Sequence, residues 1–423
     1  MRHTYAKSLL STVFVITALA ANAQNSNKEN SPYSRFGIGE QRNGVNTLLK
    51  GMGSISSAYT NPYAVNTDNP ASYASLLLTT YEAGGEGSTR TVQGGTDKYR
   101  TGMATLSYMN VGIPIGKYAG MSFGLRPVSR VYYSLNDTTA VDTFGSAIKS
   151  YEGDGAWNNA FIGFAGKYKG FSLGFNFGYT FGKIDNISSL EPLTTSDKVV
   201  SSRFATYTRV GGISWKVGAM YEHALKKSLM IRGGGTVTLS QTLNASRDQY
   251  WLSYTNYSSQ LDTAFQSRKV KGNITMPLSY SAGIQLAGND RWVVGIDYTG
   301  ANWSDYKSYG TTDSLASSTY KVSVGGEYTP NPASMRKYLQ RVTYRLGVYY
   351  GTDPVELRNT QLDYYAVTAG LSLPFKRNTS RIHTSIEVGS RGTKTNGLIR
   401  ETFVRFGLGI SLNDKWFIKR KYD

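Results

Sequence analysis

Apolar and polar residues alternate without interruption along residues 171–182. Phe171, Leu173, Phe175, Phe177, Tyr179 and Phe181 alternate with Ser172, Gly174, Asn176, Gly178, Thr180 and Gly182. Successive side chains of a β-strand point to opposite faces of the sheet, so this period of two predicts a strand. One face is wholly apolar and the other is small or polar, which is typical of a sheet that separates two different solvents.

The same period recurs along most of the chain and predicts further strands. Together the segments are 74–86, 101–113, 119–133, 157–168, 171–183, 204–221, 229–243, 272–287, 292–304, 318–328, 340–350, 362–373, 381–391 and 400–413. Most of them exceed the 5–6 residues of an ordinary strand, and they are long enough for a tilted membrane crossing of about 9–11 residues.

The predicted connections alternate in length over the first half of the chain. Short connections at 114–118, 169–170, 222–228 and 288–291 separate long ones at 87–100, 134–156, 184–203 and 244–271. Outer-membrane barrels show this alternation, with the short turns on the periplasmic side. An even number of strands places both termini on that side as well, so the two observations agree.

A membrane-spanning sheet has to close on itself, because hydrocarbon offers no partner for a backbone N–H or C=O at an open edge. We therefore predict an all-β fold, a fourteen-stranded antiparallel transmembrane β-barrel that spans residues 76–413. A soluble β-sandwich is the alternative, but its strands would be shorter and its apolar face would point inward.

Composition agrees with a barrel and removes several other classes. The chain has 423 residues, of which 40% are hydrophobic and 17% are charged, and it contains no cysteine. No segment reaches the roughly 18 consecutive apolar residues of a membrane-spanning helix. The absence of cysteine excludes disulfides, thiolate metal sites and cysteine nucleophiles.

The N-terminus predicts export. Arg2 and Lys7 precede a mostly apolar stretch, residues 8–20, and Ala21-Asn22-Ala23 supplies a small-x-small cleavage site. We predict a signal peptide at 1–23 and a location in the cell outer membrane. The formal net charge is +18. Because an exported chain meets little nucleic acid, outer-membrane lipid and lipopolysaccharide are the expected partners, together with other outer-membrane or periplasmic proteins, and no nucleic acid is expected.

If the apolar phase faces lipid, the opposite phase of the strands places charged residues in the lumen. These are Arg126, Lys216, Arg232, Asp297, Lys321, Glu327, Arg345, Glu387 and Arg405. They have two interpretations. One is a structural network of inward charges that fixes the shape of the barrel. The other is a charged passage, or a seat for a plug.

Residues 24–75 lack sustained alternation but contain short specific motifs. They are Ser31-Pro32-Tyr33-Ser34-Arg35-Phe36-Gly37, Gly51-Met52-Gly53 and Asn69-Pro70-Ala71. The order of the last two, just ahead of the first strand, resembles the FadL-like outer-membrane transport family, as do Leu278–Ile284 and Asn302–Tyr306. The first motif and Trp416-Phe417-Ile418-Lys419-Arg420-Lys421 resemble the Bacteroidota branch of that family.

The resemblance implies a fourteen-stranded barrel with residues 24–75 folded inward as a plug, or hatch. Arg35, Asn69 and Pro70 are its candidate plug residues. Residues 414–423 would form a basic periplasmic tail. Members of the family typically pass hydrophobic small molecules across the outer membrane. Related barrels are instead non-enzymatic accessory or scaffold subunits of outer-membrane assembly or secretion (type 9-like) complexes.

Two features of the structure separate these functions. A continuous apolar tunnel with a break in the wall would favour passage, whereas a sealed, charged lumen with an exposed apolar patch on the loops, such as 134–156 or 244–271, would favour a scaffold. An enzyme is not expected, because no Ser or Asp is fixed beside either of the histidines that follow the signal peptide, His223 and His383. We expect no catalytic residues, no metal site and no cofactor.

Overall fold

The computed structural model describes residues 28–42, 44–95, 97–141, 145–194, 200–255, 262–334, 336–376 and 378–416. The predicted signal peptide, 1–23, and residues 417–423 of the predicted tail lie outside the described residues. Fourteen wall strands follow one another along the chain. They are β1 (Thr79–Gly94), β2 (Asp97–Ile115), β3 (Ala119–Val141), β4 (Gly145–Tyr168), β5 (Phe171–Pro192), β6 (Ser201–Lys226), β7 (Leu229–Thr238 and Gln241–Tyr254), β8 (Asp262–Met276 and Ser279–Gly288), β9 (Trp292–Asn302), β10 (Ser318–Tyr328), β11 (Thr343–Leu357), β12 (Thr360–Pro374), β13 (Arg381–Arg391) and β14 (Arg400–Asp414).

The sheet closes into a barrel. Each strand pairs antiparallel with the next, and β14 pairs with β1 from Arg400↔Gln93 to Asp414↔Thr79. The closed fourteen-stranded antiparallel barrel predicted from the sequence is therefore confirmed. Such closure lets neighbouring strands satisfy each other's backbone groups within a membrane.

The two faces of the wall differ as the alternation predicts. In β5 the aromatic and aliphatic residues point outward, with Phe171 45% and Leu173 52% exposed, whereas Ser172 and Asn176 are each 3% exposed on the inner face. An apolar outer belt on a closed barrel implies an outer-membrane location. Among the described residues, no helix has the length and apolarity needed to span a membrane.

We call the end that carries Thr79 and Asp414 the periplasmic end. On the opposite side the wall is uneven in height. Strands β3 to β6 have 22–26 residues, whereas β9, β10 and β13 have 11 each. The taller strands extend beyond the roughly 9–11 residues that a membrane requires.

The prediction of long loops at 134–156, 184–203 and 244–271 was wrong, because most of these residues continue the strands. Polar residues such as Asn136 and Asp137 occupy both faces there, since water surrounds the sheet beyond the membrane. The alternation in the sequence therefore ends before the backbone pairing does.

The start of the first strand also differs from the prediction. A 3₁₀ turn covers Pro70–Ser75, and β1 begins at Thr79 rather than at residue 74. The side chain of Asn69 accepts a hydrogen bond from the backbone N–H of Ala71, and Pro70 occupies the first position of the turn. Both features favour the start of a helical turn over an extended strand.

Candidate functional site in the barrel lumen

The residues that precede β1 lie against the inner face of the wall. We call residues 28–42 and 44–78 the N-terminal segment. Its largely buried side chains include Leu48, Met52 and Tyr59, each at most 2% exposed. A short helix, α1 (Thr47–Lys50), begins after Asn46, whose side chain accepts from the backbone N–H of Leu49. The segment contacts both the extracellular and the periplasmic parts of the inner face.

Inward glycines let the backbone of the N-terminal segment approach the wall. A Cβ atom at Gly174 would lie 2.5 Å from the carbonyl carbon of Pro70, and one at Gly370 would lie 2.9 Å from the Cα of Gly51. A Cβ at Gly218 would overlap the side-chain oxygen of Asn69. At these inward-facing positions the wall has glycine because the backbone of the N-terminal segment occupies the space that a side chain would need.

Asn69 and Pro70, two of the predicted plug residues, lie near the periplasmic end of this contact. The Nδ2 of Asn69 donates to the carbonyl of Ser57 at 2.5 Å and to that of Ala219, in β6, at 3.3 Å. Asn69 is fully buried. Its side-chain amide thus links residues 57 and 69 of the N-terminal segment to β6 of the wall. This link is a physical reason for an asparagine at the start of the Asn-Pro-Ala motif.

A seam between β2 and β3 is filled by the N-terminal segment. Among the described residues these strands pair only from Met109↔Leu125 to Ile115↔Ala119. Beyond that point β3 pairs with Glu40 and Gln41, and the N–H of Arg42 donates to the carbonyl of Val128 at 2.9 Å.

The cause of the β2–β3 seam is local. β3 carries an irregularity between Pro127 and Ser129, and β2 carries one that leaves Ser107 out of register. Proline has no N–H to donate, and a bulge bends and twists its strand. The two strands therefore separate at this level, and the N-terminal segment supplies backbone partners to the edge of β3.

Arg90, in β1, is the centre of a buried ion-pair network. Its guanidinium contacts Glu29 at 2.9 Å, Glu40 at 2.7 Å and also Glu401, and its side chain is fully buried. A buried charge is tolerated only when it is paired and hydrogen-bonded. Because Glu29 and Glu40 belong to the N-terminal segment and Glu401 to β14, Arg90 joins that segment to the closing strands.

The network continues through Arg405 and Glu387, two predicted lumen residues. Arg405 contacts Glu40 at 2.7 Å and Glu387 at 2.6 Å. Glu40 is therefore shared by several guanidinium groups. Burial would raise the pKa of Glu40, but the positive charges of Arg42, Arg90 and Arg405 hold it well below its usual range. Glu40 is thus an anion over the physiological pH range.

Arg126 and Asp297 each hold a different part of the N-terminal segment. Arg126 contacts Asp68 at 3.4 Å, and Lys216 contacts the same carboxylate at 3.5 Å. Burial would raise the pKa of Asp68, but these two cations lower it. Asp297 accepts hydrogen bonds from the backbone N–H groups of Ser56 and Ser57, at 2.6 and 2.7 Å.

Arg345 lies between the N-terminal segment and a buried histidine. It forms an ion pair with Glu327 at 2.7 Å, and the hydroxyl of Tyr59 donates to Glu327 at 3.2 Å. Arg345 also contacts Ser372, whose hydroxyl lies 2.5 Å from Nδ1 of His383. The structure thus places a serine beside His383 that sequence reasoning did not identify. His383 is 2% exposed and enclosed by the wall.

Arg35 and Arg232 lie apart from these contacts. The guanidinium of Arg35 lies 4.4 Å from the ring centroid of Tyr151, in the tall part of β4. Arg232 faces Glu222 at 3.7 Å near the periplasmic end. The structure therefore leaves these two apart from a group of nine predicted residues that lies around the buried part of the N-terminal segment: Asn69, Pro70, Arg126, Lys216, Asp297, Glu327, Arg345, Glu387 and Arg405.

Sequence reasoning missed several members of the Arg90 network. Glu29, Glu40, Arg42, Arg90 and Glu401 were not among the predicted lumen residues. A signal was present in β1, where Glu82, Glu86, Ser88 and Arg90 share one face at even spacing. Gly85 and Gly87 occupy the opposite face, so the apolar alternation that marks the other strands is weak there.

Two cavities lie beside the N-terminal segment. The larger, of about 320 Å³, is lined mainly by polar and charged side chains that include Lys50, Asp68 and Arg405. The smaller, of about 190 Å³, adjoins the β2–β3 seam. Most of the residues that line it are polar, such as Arg126, Asn159 and Asn176, and its apolar part includes Ile38, Val128, Met276, Pro277 and Trp303.

An apolar cluster stands on the extracellular side of the smaller cavity. It joins Ile38 of the N-terminal segment to buried residues of the wall: Val131, Trp157, Val210, Leu243 and Ile274. Further out on the same face of the tall strands, Phe204, Trp251 and Phe265 are 46%, 49% and 44% exposed. The ring centroid of Trp251 lies 5.8 Å from that of Phe204 and 4.8 Å from that of Phe265. The tall side of the barrel thus presents an exposed aromatic patch.

Comparison with known proteins places the chain in a family. A family model described as BamG matches residues 5–423, so the chain belongs to the BamG family. No curated protein matched the chain.

Solved structures share its fold at low sequence identity. The toluene transporter TodX of Pseudomonas putida has a TM-score of 0.60 and 16% identity, covering 88% of this chain and 99% of that chain. The CymD monoaromatic hydrocarbon channel has a TM-score of 0.56 and 13% identity, covering 88% and 98%. A FadL homologue of Pseudomonas aeruginosa has a TM-score of 0.53 and 14% identity, covering 87% and 97%. The chain therefore has a FadL-type barrel fold.

Proposed function

We propose that this member of the BamG family passes small hydrophobic molecules across the outer membrane. The observation that carries the proposal is the cavity of about 190 Å³, which adjoins the β2–β3 seam, where the N-terminal segment bridges the wall within the described part of the chain. The FadL-type fold supports the proposal, since two structures that share it are described as a monoaromatic hydrocarbon channel and a toluene transporter.

The arrangement of apolar groups suggests a route. A molecule would first contact the aromatic patch of Phe204, Trp251 and Phe265, then the apolar cluster around Val210 and Leu243, and then the smaller cavity. By volume alone, the cavity of about 190 Å³ would fit a molecule with one ring or a short acyl chain, since a cavity of about 150 Å³ can hold benzene. Exit would follow at the β2–β3 seam, directly into the membrane.

In this proposal the N-terminal segment, within residues 24–75, acts as a plug. Its movement would break the pairing of Glu40 and Gln41 with β3 and leave the β2–β3 seam open. The ion pairs of Arg90 with Glu29 and Glu40 oppose such movement, so opening would be rare unless a bound molecule weakens these contacts. The plug would then act as a gate and not as a permanent seal.

The test is deletion of residues 24–68, with the predicted signal peptide at 1–23 retained, followed by conductance and uptake measurements in lipid bilayers and vesicles. We expect higher single-channel conductance and faster entry of a small aromatic tracer. The matched control replaces Lys394, exposed at the extracellular end, with glutamine and should leave both unchanged. Unchanged conductance after the deletion would contradict the proposed plug.

A second function is favoured by the charged lumen and the exposed aromatic patch. Both are features expected of a non-enzymatic accessory or scaffold subunit of an outer-membrane assembly or secretion (type 9-like) complex. Affinity purification of the tagged protein in mild detergent separates the two functions. Stoichiometric copurified subunits, lost when Trp251 is replaced by serine, would support the scaffold and contradict a stand-alone channel.

A further inference from the structure

The two ends of the barrel carry different charge. Between the wall strands, the six connections at the periplasmic end contain nine Lys and Arg residues and one acidic residue, Asp290. The seven connections at the extracellular end contain four basic and four acidic residues. Much of the excess positive charge of the chain is therefore concentrated at one rim.

Every periplasmic connection contributes at least one exposed cation. We call Lys117, Lys169, Lys227, Arg291, Lys337 and Lys376 the basic rim, one residue from each of the six connections, and all six are exposed. The cations therefore encircle the barrel and do not form a patch on one side. A ring fits a continuous surface that surrounds the barrel better than it fits a compact partner bound at one point.

Exposed aromatic residues lie at the same level as the basic rim. Tyr118 is 60% exposed and Tyr168 is 71% exposed. The Nζ of Lys117 lies 5.3 Å from the ring centroid of Tyr118, and the Nζ of Lys169 lies 5.2 Å from that of Tyr168. Tyrosine collects at the membrane–water interface, where long basic side chains reach the headgroups. Each pairing would thus keep an ammonium group at the depth of the lipid headgroups.

We propose that the basic rim binds the phosphate groups of anionic phospholipids in the periplasmic leaflet of the outer membrane. Each ammonium group would contact a lipid phosphate while its alkyl chain and the adjacent tyrosine lie along the acyl boundary. The rim would thereby fix the depth of the barrel and gather anionic lipid around its periplasmic end. This inference is independent of what passes through the lumen.

The test compares two triple variants of the full mature chain in vesicles of phosphatidylethanolamine with phosphatidylglycerol. The first carries Lys169→Gln, Lys227→Gln and Lys376→Gln. The matched control carries Lys98→Gln, Lys307→Gln and Lys394→Gln, which are exposed at the extracellular end and remove the same charge. Spin-labelled phosphatidylglycerol reports how strongly each protein selects the anionic lipid over the zwitterionic one.

We expect the rim variant to lose selectivity for phosphatidylglycerol by about threefold or more, since each cation near an anionic surface adds to attraction. The control should keep it, and high salt should reduce the wild-type selectivity. Equal losses in both variants, or no loss in either, would overturn the proposal. An acidic periplasmic protein that copurifies only with an intact rim, without any change in lipid selectivity, would also overturn it. Retention of the heat-modifiable folded band on gels shows that the variants fold.

Discussion

The barrel has two seams that differ in how they are held. At the β14–β1 seam, the first and last wall strands meet through continuous pairing from Arg400↔Gln93 to Asp414↔Thr79. At the β2–β3 seam, strands adjacent in sequence pair only from Met109↔Leu125 to Ile115↔Ala119 within the described residues. The two strands that are farthest apart in sequence are thus paired along nearly their whole length, whereas two consecutive strands are paired only in part.

The difference shows that a barrel can be closed, with its first and last strands paired, while two other neighbouring strands remain partly unpaired. Lipid requires the first and last strands to join, because an open edge would leave backbone groups without partners. Bulges near Pro127 and Ser107 interrupt the other seam, and the N-terminal segment supplies the partners instead. A wall region whose partner is a separate segment can open without unfolding the barrel.

The largest effect is expected for Arg90→Ala. Arg90 joins Glu401 of the closing strands to Glu29 and Glu40 of the N-terminal segment, so its loss removes one close partner from each of three largely buried carboxylates. Breaking a buried ion pair costs about 3–5 kcal/mol of the free energy of unfolding. Urea unfolding in lipid vesicles measures it. Arg100→Ala, exposed on β2, is the control, and an equal loss in both would contradict this role of Arg90.

Leu408→Arg tests the closing seam alone. Leu408 faces lipid near the middle of β14 and is 41% exposed. An arginine at the middle of the lipid face of a barrel costs about 2–4 kcal/mol. The free energy of unfolding in vesicles should fall by that amount, while conductance of the folded protein stays unchanged. Leu408→Phe should be tolerated. A stable Leu408→Arg protein would mean that this face does not contact lipid.

Gly174→Val tests the contact between the wall and the N-terminal segment. The new side chain would collide with Pro70, since a Cβ at Gly174 already lies 2.5 Å from the carbonyl carbon of that residue. Overpacking of this kind costs about 1–3 kcal/mol. We expect the barrel to fold with the segment displaced and with higher conductance. Gly166→Val, where a Cβ meets open space, is the control, and identical conductance in the two variants would count against the contact.

The smallest effect is expected outside both seams. Lys183 and Asp185 form an exposed ion pair of 2.9 Å on β5. Exposed pairs contribute at most about 1 kcal/mol, and often less. Lys183→Ala should therefore leave the unfolding midpoint and the conductance nearly unchanged. A loss comparable with that of Arg90→Ala would show that stability does not depend on the buried network.

The site residues that could be predicted from the sequence are those on strands with regular alternation. Arg405, Glu387, Asp297 and Arg345 were placed in the lumen because the lipid-facing phase of their strands is clear. The β1 residues were missed because Gly85 and Gly87 weaken that phase. Glu29, Glu40 and Arg42 lie in a segment without periodicity, so no pattern could assign them a face.

The sequence by itself determined the number of strands, the face that each presents to lipid and the need for closure, because a period of two and the demand for paired backbone groups are local properties. Only the tertiary structure decided which inward charges meet, that the β2–β3 seam separates and that the N-terminal segment fills it. These contacts join residues as distant as Arg90 and Glu401 or Glu40 and Arg405. Their geometry depends on the curvature and register of the whole wall, which no single stretch of residues encodes.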